Sequence, residues 1–175
     1  MRTGARDHSP RIYVLLLRQD DPRKCTAAKL VKLGLATALF RPKQIPRNAL
    51  VLDPFATCTL LPNDRQLSER YGIVAIDSSW EKASKAFTKR FLGRGRQLPT
   101  LLASNPVNYA KFSKLSSLEA LAAALYIVGF REQASELLHI FKWGETFLTL
   151  NREPLNAYAK ANSADDMFRA QSMFF

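Results

Sequence analysis

Residues 101–129, LLASNPVNYAKFSKLSSLEALAAALYIVG, pass from an apolar segment through a loop dense in Asn and Pro into a long apolar helix. The fold is decided here, because the character of the chain changes across this stretch. Pro99 to Ala103 reads as a strand and Ser117 to Val128 as the longest helix, both apolar enough to be buried. Backbone amides and carbonyls in an irregular buried segment need polar partners. The loop between the two elements is therefore expected to lie on the surface or to face a ligand.

Upstream, strands and helices alternate. Arg11 to Leu17 contains IYVLLL, a continuous apolar run bounded by Pro10 and by charge, as expected of a strand buried on both faces. CTAAKLVKLG then places Ala27, Leu30 and Leu33 on one helix face and Lys29 and Lys32 on the other, with Gly34 suited to the cap. Apolar segments follow at Leu35 to Phe40 and at Ala49 to Leu52. Asn63 or Asp64 suits the cap of a helix running through Tyr71 to Gly72. Ile73 to Asp77 is a short buried strand, after which Ser78 or Ser79 caps a helix carrying Trp80. Gly93, Gly95 and their basic neighbours predict a flexible connection to the Pro99 strand. Such alternation implies a mostly parallel sheet with right-handed crossovers.

Downstream, SSLEALAAALYIVG, REQASELLHIFKWG, ETFLTLN and EPLNAYAKAN carry helical periodicity without a convincing strand. The ends, before Arg11 and after Asn162, are expected to fray. The reading divides the chain into a basic α/β domain, 1–97, and a loop with an all-helical domain, 98–175.

Charge supports that division. The formal charge is +11; residues 1–97 hold 19 Lys plus Arg against 8 Asp plus Glu, and residues 98–175 hold 7 against 7. A one-sided basic field attracts polyanions, since neutralising phosphates releases condensed counterions. Nucleic acid is the expected partner rather than a membrane, because no helix pairs a basic face with an exposed aromatic one. The longest helix is too short to span a bilayer and the N-terminus has no apolar signal core, so an intracellular, cytoplasmic protein is expected. Cys25 and Cys58 read as reduced thiols without metal-ligand spacing, and neither His8 nor His139 belongs to a cluster, so no metal is expected.

Four strings, in order, resemble one family. DPRKCTAAKLVKLGLA (residues 21–36) resembles the DPKKCTGKKLxxLGLA opening of the aminocarboxypropyltransferases that modify small-subunit (16S/18S) ribosomal RNA. IVAIDSSW (73–80) resembles that family's (G)LxVVDCSW, the opening stretch its LxAANPVNYGxPxKLSxxEAxAAALYIxG, and FKWGETFLTLN (141–151) its FKWGxxFLxLN. Together they are spread from Asp21 to Asn151. The departures are Ala27 and Ala110, where the family usually has Gly, and Asp53, where it usually has Ser.

The resemblance implies an α/β, SPOUT-like fold with a mostly parallel sheet, a C-terminal trefoil knot around NPVNY and an all-α remainder. It implies transfer of the 3-amino-3-carboxypropyl group of S-adenosylmethionine to N3 of a hypermodified pseudouridine, in small-subunit rRNA or a pre-ribosomal particle. Residue by residue, Thr26 lies by the amino-acid end of the cofactor, where a helix start favours a carboxylate. Leu52 and Pro54 wall the methionine portion. The Ile76 carbonyl holds the ribose, Leu98 and Ser113 offer main-chain bonds to adenine, and Ser117 supplies a hydroxyl. Thr26, Asp77 and Ser117 equally suit helix caps, and Leu52 and Ile76 ordinary core.

By the same resemblance, Trp80 is expected to pack the methyl and sulfonium so that the methionine Cγ meets the acceptor. Asp77, at a strand C-terminus, accepts or orients the N3 proton. Asp20 and Asp21 read as turn-formers before Pro22. Arg23, Lys24, Lys29, Lys32, Arg41 and Lys43, with Arg47 beside them, are the RNA-contact candidates. A monomer is expected. A methyltransferase of the same class and a non-catalytic assembly factor remain the alternatives.

Overall fold

In a computed structural model of the chain, which describes residues 9–17, 25–77 and 92–175, the apolar runs pair into one five-stranded sheet. The strands are β1 (Ile12–Leu16), β2 (Thr37–Leu39), β3 (Leu50–Leu52), β4 (Ile73–Asp77) and β5 (Arg94–Arg96), ordered β2-β1-β4-β3-β5 with every pairing parallel. Helix α1 (Thr26–Lys32) joins β1 to β2, and α2 (Arg65–Tyr71) joins β3 to β4. The described remainder is helical: α3 (Ser117–Ile127), α4 (Arg131–His139), α5 (Gly144–Leu150), α6 (Arg152–Tyr158) and α7 (Ala164–Ser172).

Alternation along the strands sorts side chains to two faces. Val14, Leu50, Leu52, Ile73 and Ala75 join the larger core with Leu30 of α1 and with α3, whose Leu118, Leu121 and Leu125 are fully buried. Each of those leucines contributes roughly 2 kcal/mol. Leu15, Val51, Val74 and Ile76 line the other face with Leu39 and Ile45. Phe147, Leu155, Tyr158 and Met167 complete the larger core, so it runs from the sheet into the last helix. No helix among the described residues is long and apolar enough to cross a membrane.

Several elements differ from expectation. Residues 99–103 form no strand, only an isolated antiparallel bridge between Leu102 and Phe112. Pro99 lacks an amide donor, and the amide and carbonyl of Leu102 both bond the Asn151 side chain, at 2.8 and 2.9 Å. The expected flexible basic connection is edge strand β5. Its Arg96 is clamped by buried Asp64, with Nε–Oδ2 and Nη2–Oδ1 at 2.9 Å.

Beyond Asn162 the chain does not fray. Ser163 caps α7 by accepting the Asp166 amide at 3.1 Å, and Met167 anchors the helix in the core. The segment REQASELLHIFKWG breaks after His139, and Gly144 opens α5 against the Leu138 carbonyl, where a Cβ has no room. Ala27 and Leu30 are buried as expected, but Leu33 turns outward at the C-cap while Gly34 takes φ 72°. Asp64 precedes α2 without bonding its first turn, its carboxylate being engaged by Arg96. Ser78, Ser79 and the helix expected to carry Trp80 lie outside the described residues, as do His8, Asp20, Asp21, Arg23 and Lys24.

Candidate active site

Parallel strands bring all their C-terminal ends to one edge. The chain leaves β1 towards β2 on one side, and among the described residues the strand that follows β4 is β5, on the other. β1 and β4 are neighbours, so the crevice between their ends is the point where the winding reverses, the usual ligand position in such sheets. Asp77 ends β4 in register with Leu16 of β1, and Cys25 opens α1 beside it.

Two bonds hold that corner. The Cys25 thiol donates to Asp77 Oδ2 at 3.2 Å, and the sulfur accepts the Ala28 amide at 3.2 Å, so Cys25 rather than Thr26 is the helix cap. Burial raises the thiol from the ordinary 9.0 to about 11; the Ala28 amide opposes this and the Asp77 charge adds to it. At neutral pH the thiol is protonated and acts as donor. Thr26 is the first helical residue, half-buried one position from this pair.

The other candidates sit along the same edge. Leu52, 7% exposed, ends β3, and Pro54 follows in a turn whose carbonyl accepts from Gln97 Nε2 at 2.8 Å. Asp53 bonds the Phe55 amide at 2.8 Å, and burial, opposed by that amide, raises its carboxyl. The β3–β4 ladder stops at Val51–Val74, whereas β1 accompanies β4 to Asp77. The flank of Ile76 facing β3 is thereby released from ladder pairing. Leu98 follows the Thr59–Gln97 bridge at the end of β5 and packs against the larger core.

Ser113 belongs to the loop that raised the initial question, and Ser117 opens the helix that follows it. The buried backbone of the loop is bonded by side chains of the helical region. Glu119, fully buried on α3, accepts five bonds: the Ser104 amide (2.6 Å) and hydroxyl (2.9 Å) and the Asn105 amide (3.0 Å) on Oε1, the Asn105 Nδ2 and Ser116 amide (both 2.7 Å) on Oε2. All five partners are donors, so both oxygens act as acceptors. Tyr158 donates to the Thr100 carbonyl at 2.9 Å and the Thr100 amide donates to Gln171 at 2.8 Å. Ser116 caps α3, leaving Ser117 as its first residue. Ser113 sits at φ 53° with its amide donated to the Leu101 carbonyl at 2.8 Å.

The turn at residues 140–143 links this loop to α1. Lys29 Nζ donates to the Ile140 carbonyl at 3.3 Å and lies 4.2 Å from the Phe141 ring centre, while the Trp143 carbonyl accepts from Ser104 Oγ at 3.5 Å. Lys32, Arg41 and Lys43 are exposed, the last two just beyond the C-terminal end of β2 on the same edge. Trp80, Arg23 and Lys24 are not described. No group of metal-ligating residues occurs among the described residues. A described cavity of about 330 Å³, lined by Arg65, Phe130 and Gln133, lies by Ser9, at the N-terminal end of β1 and away from these residues.

The roles of Cys25, Asn151 and Glu119 were not anticipated from the sequence. Their signal was the KCT, FLTLN and KLSSLEA strings in which they stand.

Comparison with known proteins places these features in context. The family described as "Ribosome biogenesis protein, C-terminal" matches residues 50–175, and "Possible Fer4-like domain in RNase L inhibitor, RLI" matches residues 10–44. The latter segment holds a single cysteine, too few for an iron–sulfur cluster. The 16S rRNA aminocarboxypropyltransferase of Methanopyrus kandleri is 46% identical, over 93% of this chain and 97% of that protein. The protein of the same name from Methanocaldococcus jannaschii is 40% identical over 94% and 96%. The solved SAM-dependent rRNA:acp-transferase Tsr3 from Vulcanisaeta distributa is 42% identical, with a TM-score of 0.86 over 94% of this chain and 88% of that one.

Proposed function

Because this chain belongs to the family of 16S rRNA aminocarboxypropyltransferases, we propose that it transfers the 3-amino-3-carboxypropyl group of S-adenosylmethionine to N3 of an (N1-methyl)pseudouridine in small-subunit rRNA. The observation that carries the reading is the placement of Asp77 and its Cys25 partner at the winding reversal, flanked by Leu52 and Ile76.

The residues present fit the donor. Leu52 supplies apolar wall, the unladdered flank of Ile76 offers backbone to a ribose, and no step calls for a metal. When bound, S-adenosylmethionine supplies a carbon activated by the adjacent sulfonium, so that attack by N3 forms the N–C bond, breaks the C–S bond and releases methylthioadenosine. Asp77 takes or orients the N3 proton, and the Cys25 thiol fixes the carboxylate for it. Thr26 lies at the amino-acid end, Leu98 and the Ser113 carbonyl at adenine, Ser117 beside them, and Trp80 against the methyl. Lys32, Arg41 and Lys43, with Arg23 and Lys24, meet phosphates, whereas Lys29 is held by the Ile140 carbonyl and the Phe141 ring. The same reading carries a SPOUT-like knot through the 98–117 loop, supported by its anchoring to Glu119 of α3, to Asn151 and to Tyr158 of α6, and a monomeric cytoplasmic enzyme.

Incubation with small-subunit rRNA and donor labelled separately in the methyl and carboxyl carbons tests it. RNA labelled only from the carboxyl donor is the expected result. Methyl label would make the chain a methyltransferase, and binding without label an assembly factor. Asp77→Asn is expected to slow transfer at least tenfold with unchanged donor affinity; full activity would remove Asp77 from the mechanism.

A further inference from the structure

The anchored loop has a base that the fold explains and a tip that it does not. Ser104 and Asn105 are buried on Glu119, the Ala103 carbonyl accepts the Ala110 amide at 2.7 Å, and the Ala103 amide donates to Lys111 at 3.0 Å. Asn105 also accepts the Asn108 amide at 3.0 Å, closing a turn. From this rigid base project Val107, 81% exposed, Tyr109, 58%, and Phe112, 61%. Phe112 meets Phe175 edge to face at 5.5 Å and still keeps that exposure. Lys111 and Lys114 stand exposed between and beside them. Two non-glycine residues in this tip, Ala110 at φ 58° and Ser113 at φ 53°, hold left-handed backbone. Scattered surface apolar residues need no account, but two aromatics and two lysines within six positions of one pre-organised loop do.

We propose that the 107–114 tip is a stacking platform for unpaired nucleotides of the small-subunit rRNA next to the modified base. Tyr109 and Phe112 receive base faces, and Lys111 and Lys114 meet the phosphates between them. Interleaved aromatics and cations are the chemistry of single-stranded nucleic-acid binding, in which stacking tolerates any base and charge tracks the backbone. A second copy of the chain fits less well, since lysine is depleted at protein interfaces. Position favours RNA as well. The tip is continuous with Ser113, so a strand stacked there has its neighbouring nucleotide at the proposed cofactor edge. Pre-organisation by Glu119 removes the ordering cost that a mobile loop would incur on binding.

The proposal rests on the rRNA-modifying reading, and one experiment separates the two. Wild type, Tyr109→Ala/Phe112→Ala, Tyr109→Phe/Phe112→Tyr and Lys111→Ala/Lys114→Ala are titrated with a small-subunit rRNA hairpin whose loop carries the target N1-methylpseudouridine, at several salt concentrations. Labelled transfer is measured in parallel. The double alanine variant is expected to bind at least tenfold more weakly with an unchanged salt slope, and the ring-preserving variant to bind as wild type. The lysine variant is expected to show a slope shallower by about 0.7 for each phosphate left unneutralised. Unchanged RNA affinity in the double alanine variant overturns the platform, as does a wild-type dimer that this variant dissolves. Absence of label from the wild type overturns the transferase reading, while the affinities still decide the platform.

Discussion

The Cys25 sulfur makes two contacts at once, capping α1 and donating to Asp77. A serine reproduces both, whereas an alanine reproduces neither. Cys25→Ala is therefore expected to cost about 1 kcal/mol through removal of the cap and to slow transfer, and Cys25→Ser to retain both. Burial, which lifts the thiol from 9.0 to about 11, adds a pH signature. Between those values the unfolded thiol is already ionised and the folded one is not, so unfolding releases a proton and stability falls as pH rises. The urea midpoint of wild type should therefore drop more steeply than that of Cys25→Ser from pH 9 to 11; parallel curves would show that the thiol is not held neutral. Ala110 offers the opposite case, a side chain in left-handed backbone at φ 58°. Relief of about 1–2 kcal/mol, less roughly 0.5–1 for the flexibility of glycine, predicts that Ala110→Gly raises Tm by a few degrees. A lower Tm would mean that Ala110 makes compensating contacts. The Ala110 departure from the family's Gly was legible in the sequence. The cap was not, because Thr26 is the better capping residue by chemistry and the sulfur's partner lies 52 positions away.

Elements were legible where apolar period and length agreed, as in Ile12–Leu16, Ile73–Asp77 and Ser117–Ile127. They were misread where one long-range polar contact outweighs local preference. Arg94–Arg96 looks like a linker and becomes an edge strand because Asp64 clamps Arg96. Asp64→Ala should leave the partly buried guanidinium without its bidentate partner and cost about 3 kcal/mol. A loss below about 1 kcal/mol in chemical denaturation would show that β5 is held by its ladder alone. Residues 99–103 look like a strand and become an irregular segment because Asn151 serves both backbone groups of Leu102. Glu119→Gln tests the neighbouring anchor. Whichever way the amide turns, its NH₂ faces donors that now point at a carboxylate oxygen, at a cost of about 1–3 kcal/mol per mismatched buried group. Retained stability would show that the loop does not depend on this hub.

At the scale of the whole molecule, the charge of +11 overstates the surface available to RNA. Arg96 is spent on Asp64, Arg65 on Glu69 and the Val128 and Gly129 carbonyls, and Lys29 on Ile140 and the Phe141 ring. Charge segregation therefore pointed to an electrostatic partner without saying which cations face it; that depends on helix ends and ring faces assembled from distant parts of the chain. Lys32, Arg41 and Lys43 remain exposed, the last two just beyond the C-terminal end of β2. Reversal of Arg41 and Lys43 to Glu should weaken RNA binding and flatten the plot of log affinity against log salt by about 0.7–0.9 for each phosphate that the protein no longer neutralises. Lys29→Ala should instead lower stability by about 0.5–1 kcal/mol, the value of an exposed cation–π contact, and leave that slope nearly unaltered. If Lys29→Ala flattens the slope as strongly as a reversal on the sheet edge, its bond to Ile140 is incidental and the RNA path runs over α1. If only the edge reversals do so, the RNA crosses the C-terminal ends of the strands, where Asp77 sits.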